Sequence, residues 1–176
     1  MVEVGDKVVH LRYGAGTVTG RQVLKRQGKR RPHFCIKLAD ETGTLLIPED
    51  AIENAELRQA MQDTILIESV MGDTPDVLHD NHRTRQGFIE KKLNSGKPAQ
   101  IAQVLRDLSW RERTAKLTGT DRRLRKNALE RLVGEIALGT SRTSEDIQTC
   151  IDGIVDDAMQ RHLANLPGWA SQSPAS

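Results

Sequence analysis

The side chains best suited to chemistry are two histidines three residues apart, His79 and His82, with Asp76 and Asp80 beside them. Imidazole and carboxylate groups at this spacing share one side of a helix, where they could bind a metal ion. The segment offers no third and fourth ligand at a recognisable spacing, so surface histidines are the better interpretation. A hydrolase that uses this cluster is therefore the weakest of three hypotheses for the function of the chain.

The chain lacks the common motifs of enzyme active sites. Gly14-Ala15-Gly16 is followed by no helix and no Lys-Ser/Thr pair, so it does not predict a phosphate-binding loop. Neither a G-x-S-x-G nor an H-E-x-x-H motif occurs. Cys35 and Cys150 have no Cys or His at metal-ligand spacing, which predicts two reduced, buried thiols. We expect a protein that is not an enzyme and uses no cofactor, metal or small-molecule substrate.

Basic residues are the remaining candidates, and they cluster on three predicted helices. The clusters are Arg83, Arg85, Lys91 and Lys92, then Arg106, Arg111 and Arg113, then Arg122, Arg123, Arg125 and Lys126. A surface that contacts several phosphates with such residues binds nucleic acid without sequence specificity and with a strong dependence on salt. Composition alone does not separate this interpretation from an ordinary solvated surface.

The overall composition is that of a globular protein. The 176 residues carry a net charge of +2, with 37% hydrophobic and 28% charged residues, enough for one ordinary domain or two small ones. No apolar run approaches the roughly 20 residues that cross a bilayer, and the first residues do not resemble a signal peptide. We therefore expect a cytoplasmic protein with no membrane partner.

The hydrophobic period divides the chain into a β part and an α part. Short apolar runs at 7–10, 17–24, 33–38 and 44–47, separated by turn residues, predict four or five strands in a small, strongly bent sheet or barrel. Beyond residue 57 the period changes to 3.6, which predicts about five helices. The expected helices are a short one before Gly72, one from about 76 to 93, an amphipathic pair within 101–138, and a last one from Thr143.

These elements predict an α+β chain with an N-terminal β domain at 1–57, an all-α domain at 58–164 and a flexible tail at 165–176. Thr118 and Asp121 are expected to cap the second helix of the amphipathic pair. Trp110 is expected to pack in or beside the helical core. Trp169 is expected in the loosely docked tail.

Two sets of motifs resemble a known family across almost the whole chain. V-G-D-K-V-V-H, Y-G-A-G-T-V, F-C-I-K-L and T-L-L-I-P resemble the RNA-polymerase-interacting domain of the CarD and CdnL transcription regulators, a domain shared with the transcription-repair coupling factor. A-Q-V-L-R-D-L, L-T-G-T-D-R-R-L and L-V-G-E-I-A-L are similar to the helical C-terminal domain of the same regulators. The coupling factor fits less well because it shares only the first set.

The resemblance implies a fold and a mechanism. It implies a Tudor-like or SH3-like β domain that binds the β subunit of bacterial RNA polymerase, here through Leu24, Lys25, Arg26 and Leu46. Many relatives have arginine in place of Leu24 and Leu46, so the docking affinity is expected to differ. The helical domain would contact promoter DNA near the −10 element and stabilise the open complex.

For DNA, the resemblance places His82 where relatives have a tryptophan that enters the minor groove. An imidazole is smaller and more polar than an indole, so it should fill an unstacked base step less well. Arg83 and Arg85 remain candidates for phosphate contact, with the other cations of the three clusters. The alternative is a polymerase- or protein-binding adaptor that has lost productive DNA contact.

Overall fold

The computed structural model describes residues 2–26, 28–39 and 41–167. In these residues an antiparallel sheet of five strands precedes the helices, with the order β4-β3-β2-β1-β5. The strands are β1 (Lys7–His10), β2 (Gly14–Arg26), β3 (Lys29–Leu38), β4 (Thr44–Pro48) and β5 (Leu57–Gln59), and a 3-10 helix (Glu49–Asn54) follows β4. The predicted α+β fold with an N-terminal β domain is confirmed, whereas the domain boundary at residue 57 stays a prediction.

Alternating apolar residues build the core of this sheet. Val18, Phe34 and Ile36 are buried together with Val8 and Ile47, because successive side chains of a strand point to opposite faces. The long β2–β3 hairpin changes register between Val18 and Gly20, and a bulge of this kind increases the local twist of a sheet. The sheet therefore encloses a small core of its own.

Five α-helices follow in the described residues. They are α1 (Ile65–Gly72), α2 (His82–Asn94), α3 (Pro98–Thr114), α4 (Gly119–Thr140) and α5 (Ser144–Ala164). The central helix is α3, which packs against each of the other four. Thr118 and Thr143 cap α4 and α5, as the sequence predicts. Trp110 packs against this helical core, and its ring is nearly perpendicular to the ring of His162, with 6.0 Å between centroids.

The predicted start of α2 near residue 76 is wrong. The helix begins at His82 because the side chain of Asn81 accepts hydrogen bonds from the N–H groups of Arg83 and Thr84, at 3.0 and 3.2 Å. The preceding segment is held outside the helix, and the backbone N–H of Asp76 donates to a carboxylate on α3 at 3.0 Å. Residues 73–81 therefore form a connection between α1 and α2 that is held against α3.

The two domains are joined by a network of polar contacts. Arg58 on β5 forms a two-pronged ion pair with Glu135 on α4, with one N–O distance of 2.7 Å. Glu135 also accepts from the N–H of Met61 at 2.9 Å. Lys7 on β1 donates to the hydroxyl of Ser141 at 2.5 Å. These contacts connect both β1 and β5 to the region of α4 and its C-terminal end.

A second contact between the domains involves the turn after β1. Arg131 on α4 donates to the carbonyl oxygens of Leu93 at 2.8 Å and Leu11 at 3.2 Å. Gly96, which follows the C-terminal cap of α2, has a φ of +65°, and a Cβ there would lie 2.5 Å from the Leu11 side chain. Only glycine satisfies both the left-handed backbone and this close approach.

Three smaller predictions concern single residues and the end of the chain. Cys35 and Cys150 are free thiols, as predicted, but both are only half-buried. The predicted tail begins where α5 ends, and its residues 168–176, including Trp169, lie outside the described residues. Over the described part of the chain, none of the helices has the length and apolar character that crossing a membrane requires.

Candidate functional site

A fully buried ion pair joins the beginnings of α2 and α4. The guanidinium of Arg85 donates to both carboxylate oxygens of Asp121, at 2.8 and 3.3 Å, and the two side chains are 2% and 0% exposed. The remaining nitrogen of Arg85 donates to the carbonyl oxygens of His79 and Asp80, at 2.6 and 2.9 Å. The Arg85 side chain thus fixes both the segment that precedes α2 and the packing of α2 against α4.

Asp121 has a second role as a helix cap. Its carboxylate accepts from the N–H of Thr118 at 3.0 Å, and the hydroxyl of Thr118 accepts from the N–H of Asp121 at 3.1 Å. Burial alone would raise the pKa of Asp121, but hydrogen bonds from Arg85 and Thr118 outweigh it and lower the pKa to about 2. The carboxylate is therefore charged at neutral pH.

Exposed side chains surround this buried pair. His82 and Arg83 lie in the first turn of α2, and Arg122 and Arg123 in the first two turns of α4; all four are exposed. Among the described residues none of the three arginines has an ion-pair partner. Cations at the start of a helix oppose its macrodipole. A bound anion would compensate this unfavourable arrangement. We name His82, Arg83, Arg122 and Arg123 the helix-start surface.

Two predicted members of the basic surface are buried in internal ion pairs. Arg85 is buried, and its place could have been read from the sequence because it continues the i, i+4 row of Ile89 and Leu93. Arg106 is 3% exposed and pairs with Asp107 at 2.8 Å, since α3 is covered on all sides in its middle. Neither guanidinium can reach a phosphate in this structure.

The remaining predicted cations differ in their surroundings. Lys91 is exposed and has no ion pair within the described ranges. Four others each have an acidic partner: Arg111 with Asp80 at 3.5 Å, Arg113 with Asp156 at 2.7 Å, Arg125 with Glu112 at 3.4 Å, and Lys126 with Glu130 at 3.5 Å. A phosphate would have to compete with these carboxylates. Their contact with DNA stays a prediction.

A network of ion pairs that the sequence did not predict holds the segment before α2. Burial raises the pKa of Asp107 even though Arg106 and Lys92 lie near it. The carboxylate of Asp76 lies 3.2 Å from Lys92 and 3.5 Å from Arg106. No sequence signal identifies these partners, because they come from separate elements. The described residues contain no group of His, Cys, Asp and Glu that could hold a metal ion.

The predicted polymerase-binding residues lie at the end of β2, in the middle of the strand order, and on the edge strand β4. Leu24 pairs with Arg31, and Leu46 pairs with Cys35. Positions 31, 33 and 35 alternate to one face, so Leu24 and Leu46 share that face, with His33 between them. Leu46 is 38% exposed and Leu24 half-buried. We name these two leucines and His33 the leucine face.

The two charged members of the predicted set are placed differently. Lys25 pairs with Arg30, one position along from Leu24, so its side chain points to the opposite face of the hairpin. It is exposed. The backbone of Arg26 ends β2, and its side chain lies outside the described residues. The structure therefore brings together only the two leucines.

Comparisons with known proteins agree with this division of the chain. Residues 2–61 match the CarD-like/TRCF RID domain, a Tudor-like domain, and residues 67–152 match the CarD C-terminal domain. The chain is also 21% identical over 154 residues to YdeB, a candidate transcription factor of Bacillus subtilis (strain 168), covering 85% of this chain and 99% of that protein. The two domain matches occur in the order that the sequence motifs predict. The chain therefore belongs to the CarD-like family of transcription regulators.

Proposed function

We propose that this protein binds the β subunit of bacterial RNA polymerase through its sheet and promoter DNA near the −10 element through its helices. Contact with both partners would stabilise the open complex. The protein would act by binding alone, without catalysis or a cofactor. Membership of the family supports the regulatory role, and the two surfaces described above supply the candidate contacts.

The helix-start surface is the observation that carries the proposal. Arg83, Arg122 and Arg123 are exposed and lack acidic partners among the described residues, and a buried ion pair joins the starts of the two helices that carry them. Because the pair fixes the backbone at both helix starts, the three arginines are presented on a rigid scaffold, and their guanidinium groups can form charge-assisted hydrogen bonds with phosphates. His82 lies at the same place, where its ring could reach the minor groove.

The leucine face is the candidate for polymerase. Leu46 is exposed on the edge strand β4, which is unusual because edge strands are commonly protected by charged side chains. A pull-down with the isolated polymerase β lobe tests this assignment. Leu46→Glu should abolish capture, whereas Ile65→Glu, at a residue on α1 that is 67% exposed, should leave capture unchanged. Equal capture of the wild type and both variants would contradict the assignment.

A protein-binding adaptor without DNA contact is the second candidate. The resemblance favours it because it places His82 where relatives have a tryptophan. One observation also favours it: the predicted cations Arg85 and Arg106 are buried in internal ion pairs. An adaptor would tolerate charge reversal at Arg122 and Arg123 without loss of activity. Footprinting of promoter DNA in the presence of polymerase separates the candidates, since only the first predicts protection that depends on those arginines.

A further inference from the structure

A cleft of about 1110 Å³ lies between the two domains. The turn after β1 forms one wall, and α4 with the start of α5 forms the other. Arg12, Tyr13, Arg123 and Arg142 line this cleft, and all four side chains are exposed. Tyr13 is half-exposed, at 50%, although its aromatic ring would gain free energy from burial. The cleft therefore combines guanidinium groups with an accessible aromatic face.

The turn that carries Arg12 and Tyr13 has a fixed conformation. The Nδ1 atom of His10 accepts hydrogen bonds from the N–H groups of Arg12 and Tyr13, at 3.1 and 3.4 Å. The His10 ring also contacts the Tyr13 ring, with 4.9 Å between centroids. Burial lowers the pKa of His10, with Glu56 opposing and Arg12 adding to the effect. The ring thus stays neutral near pH 7 and keeps a lone pair on Nδ1.

The same turn is attached to the helical domain. Arg131 holds the carbonyl oxygen of Leu11, next to Arg12, and Gly96 packs directly against Leu11. The side chains from the β domain and those from α4 therefore face each other across a defined space. A ligand in the cleft would meet a preformed site, which lowers the entropic cost of binding.

The charges of the cleft favour an anion. Arg12, Arg123 and Arg142 have no ion-pair partner in the part of the chain that the structure describes. Of the three carboxylates in the lining, Glu135 is neutralised by Arg58 and Glu130 lies 3.5 Å from Lys126, which leaves Glu90. Arg123 also belongs to the helix-start surface. The cleft is thus a direct continuation of the surface proposed for promoter DNA.

We infer that the cleft binds a single-stranded nucleic-acid segment, with its phosphates on Arg12, Arg123 and Arg142 and one base stacked on Tyr13. Cations along a groove combined with an exposed aromatic ring are the features that bind single strands without sequence preference. The inference rests on the proposed function, because a melted promoter supplies such a strand. It adds the β domain to the DNA-binding surface.

Fluorescence anisotropy with the full chain tests the inference. The probes are a labelled oligothymidine of about 12 nucleotides, within the site sizes typical of such grooves, and a duplex of the same length. Tyr13→Ala should weaken binding of the single strand about tenfold and leave duplex binding unchanged. Tyr13→Phe, which keeps the ring, should bind like the wild type. Arg12→Ala should reduce the salt dependence of single-strand binding by about 0.7 per lost phosphate contact.

Three results would overturn the inference: no binding of the oligothymidine by the wild-type protein, equal affinity of wild type and Tyr13→Ala, or a loss of polymerase β-lobe binding alone in Tyr13→Ala. The last result would identify the cleft as a protein contact.

Arg83→Glu separates this inference from the proposed function. Suppose that Arg83→Glu leaves duplex binding intact while Tyr13→Ala weakens single-strand binding. The assignment of DNA to the helix-start surface is then wrong, and the assignment of a single strand to the cleft is supported.

Discussion

Arg85 and Asp121 lie 36 residues apart in sequence and form a fully buried ion pair, with an N–O distance of 2.8 Å. Each residue also stabilises backbone at the start of a helix, Arg85 through carbonyl oxygens before α2 and Asp121 as part of the capping box of α4. The pair thereby fixes the start of α2, which carries Arg83, relative to the start of α4, which carries Arg122. We regard Arg85 and Asp121 as positioning residues of the proposed DNA surface.

Asp121→Ala should lower the free energy of unfolding by about 3–5 kcal/mol, because it leaves the Arg85 guanidinium buried without a counter-charge. Urea denaturation monitored by circular dichroism measures the change. The matched control is Glu130→Ala, which breaks an exposed i, i+4 pair with Lys126 and should change stability by less than about 1 kcal/mol. Similar losses in both variants would show that the buried pair has no special role.

The pH dependence of stability should report on the same carboxylate. The pKa of Asp121 is lowered to about 2 from 3.8, so its contribution is present above about pH 4 and is lost as the pH falls toward 2. This contribution amounts to about 2 kcal/mol. Asp121→Asn should flatten the stability curve between pH 4 and pH 2. An unchanged slope in the variant would contradict the assignment.

Burial raises the pKa of Asp107, so its contribution has the opposite sign. A raised pKa means that the folded state binds the proton more tightly, and stability is lost as the pH rises through the folded-state value. Asp107→Asn should therefore steepen the acid-induced loss of stability that Asp121 causes. Thermal unfolding at pH 3, 5 and 7 measures both effects in one series.

Gly96→Ala should lower the free energy of unfolding by about 2–4 kcal/mol, through the strained left-handed backbone and the clash with Leu11. The control is Gly153, inside α5, where an added Cβ would meet no other atom within 4 Å. Gly153→Ala should stabilise the protein by up to about 1 kcal/mol. Differential scanning calorimetry compares the two variants, and a stabilised Gly96→Ala protein would contradict the described packing between the domains.

His82→Trp should lengthen the lifetime of the open complex, because an indole fills an unstacked base step better than an imidazole. His79→Trp adds the same side chain at a position before α2 and serves as the control. Lifetimes are measured as the decay of heparin-resistant complexes. An identical lifetime for wild type and His82→Trp would show that position 82 does not contact the melted step.

The elements with a regular period were the most predictable from the sequence. The strands around Val8, Val18 and Ile36 and the capping residues Thr118 and Thr143 follow from local patterns, and the structure confirms them. The start of α2 was not predictable in this way. The segment before it is held by Arg85, whose hydrogen-bond partners include a carboxylate 36 residues away.

The candidate site was only partly predictable for the same reason. Charge clusters indicate where cations occur along the chain, but they do not show which cations have a buried acidic partner. Arg106 and Arg83 look alike in sequence, yet Arg106 lies on the central helix and Arg83 faces solvent. Arg12 and Tyr13 could not be identified from the sequence because the cleft that they line forms only when the domains pack together.

The lifetime of open complexes formed by polymerase and promoter DNA is the most direct test of the proposed function. Arg83→Glu and Arg122→Glu are compared with the wild type and with Lys116→Glu, which reverses an exposed charge just after α3. We predict that the first two variants bind the polymerase β lobe normally but shorten the lifetime severalfold, while Lys116→Glu behaves like the wild type. Lifetimes equal to that of the wild type in Arg83→Glu and Arg122→Glu would contradict the account and favour the adaptor.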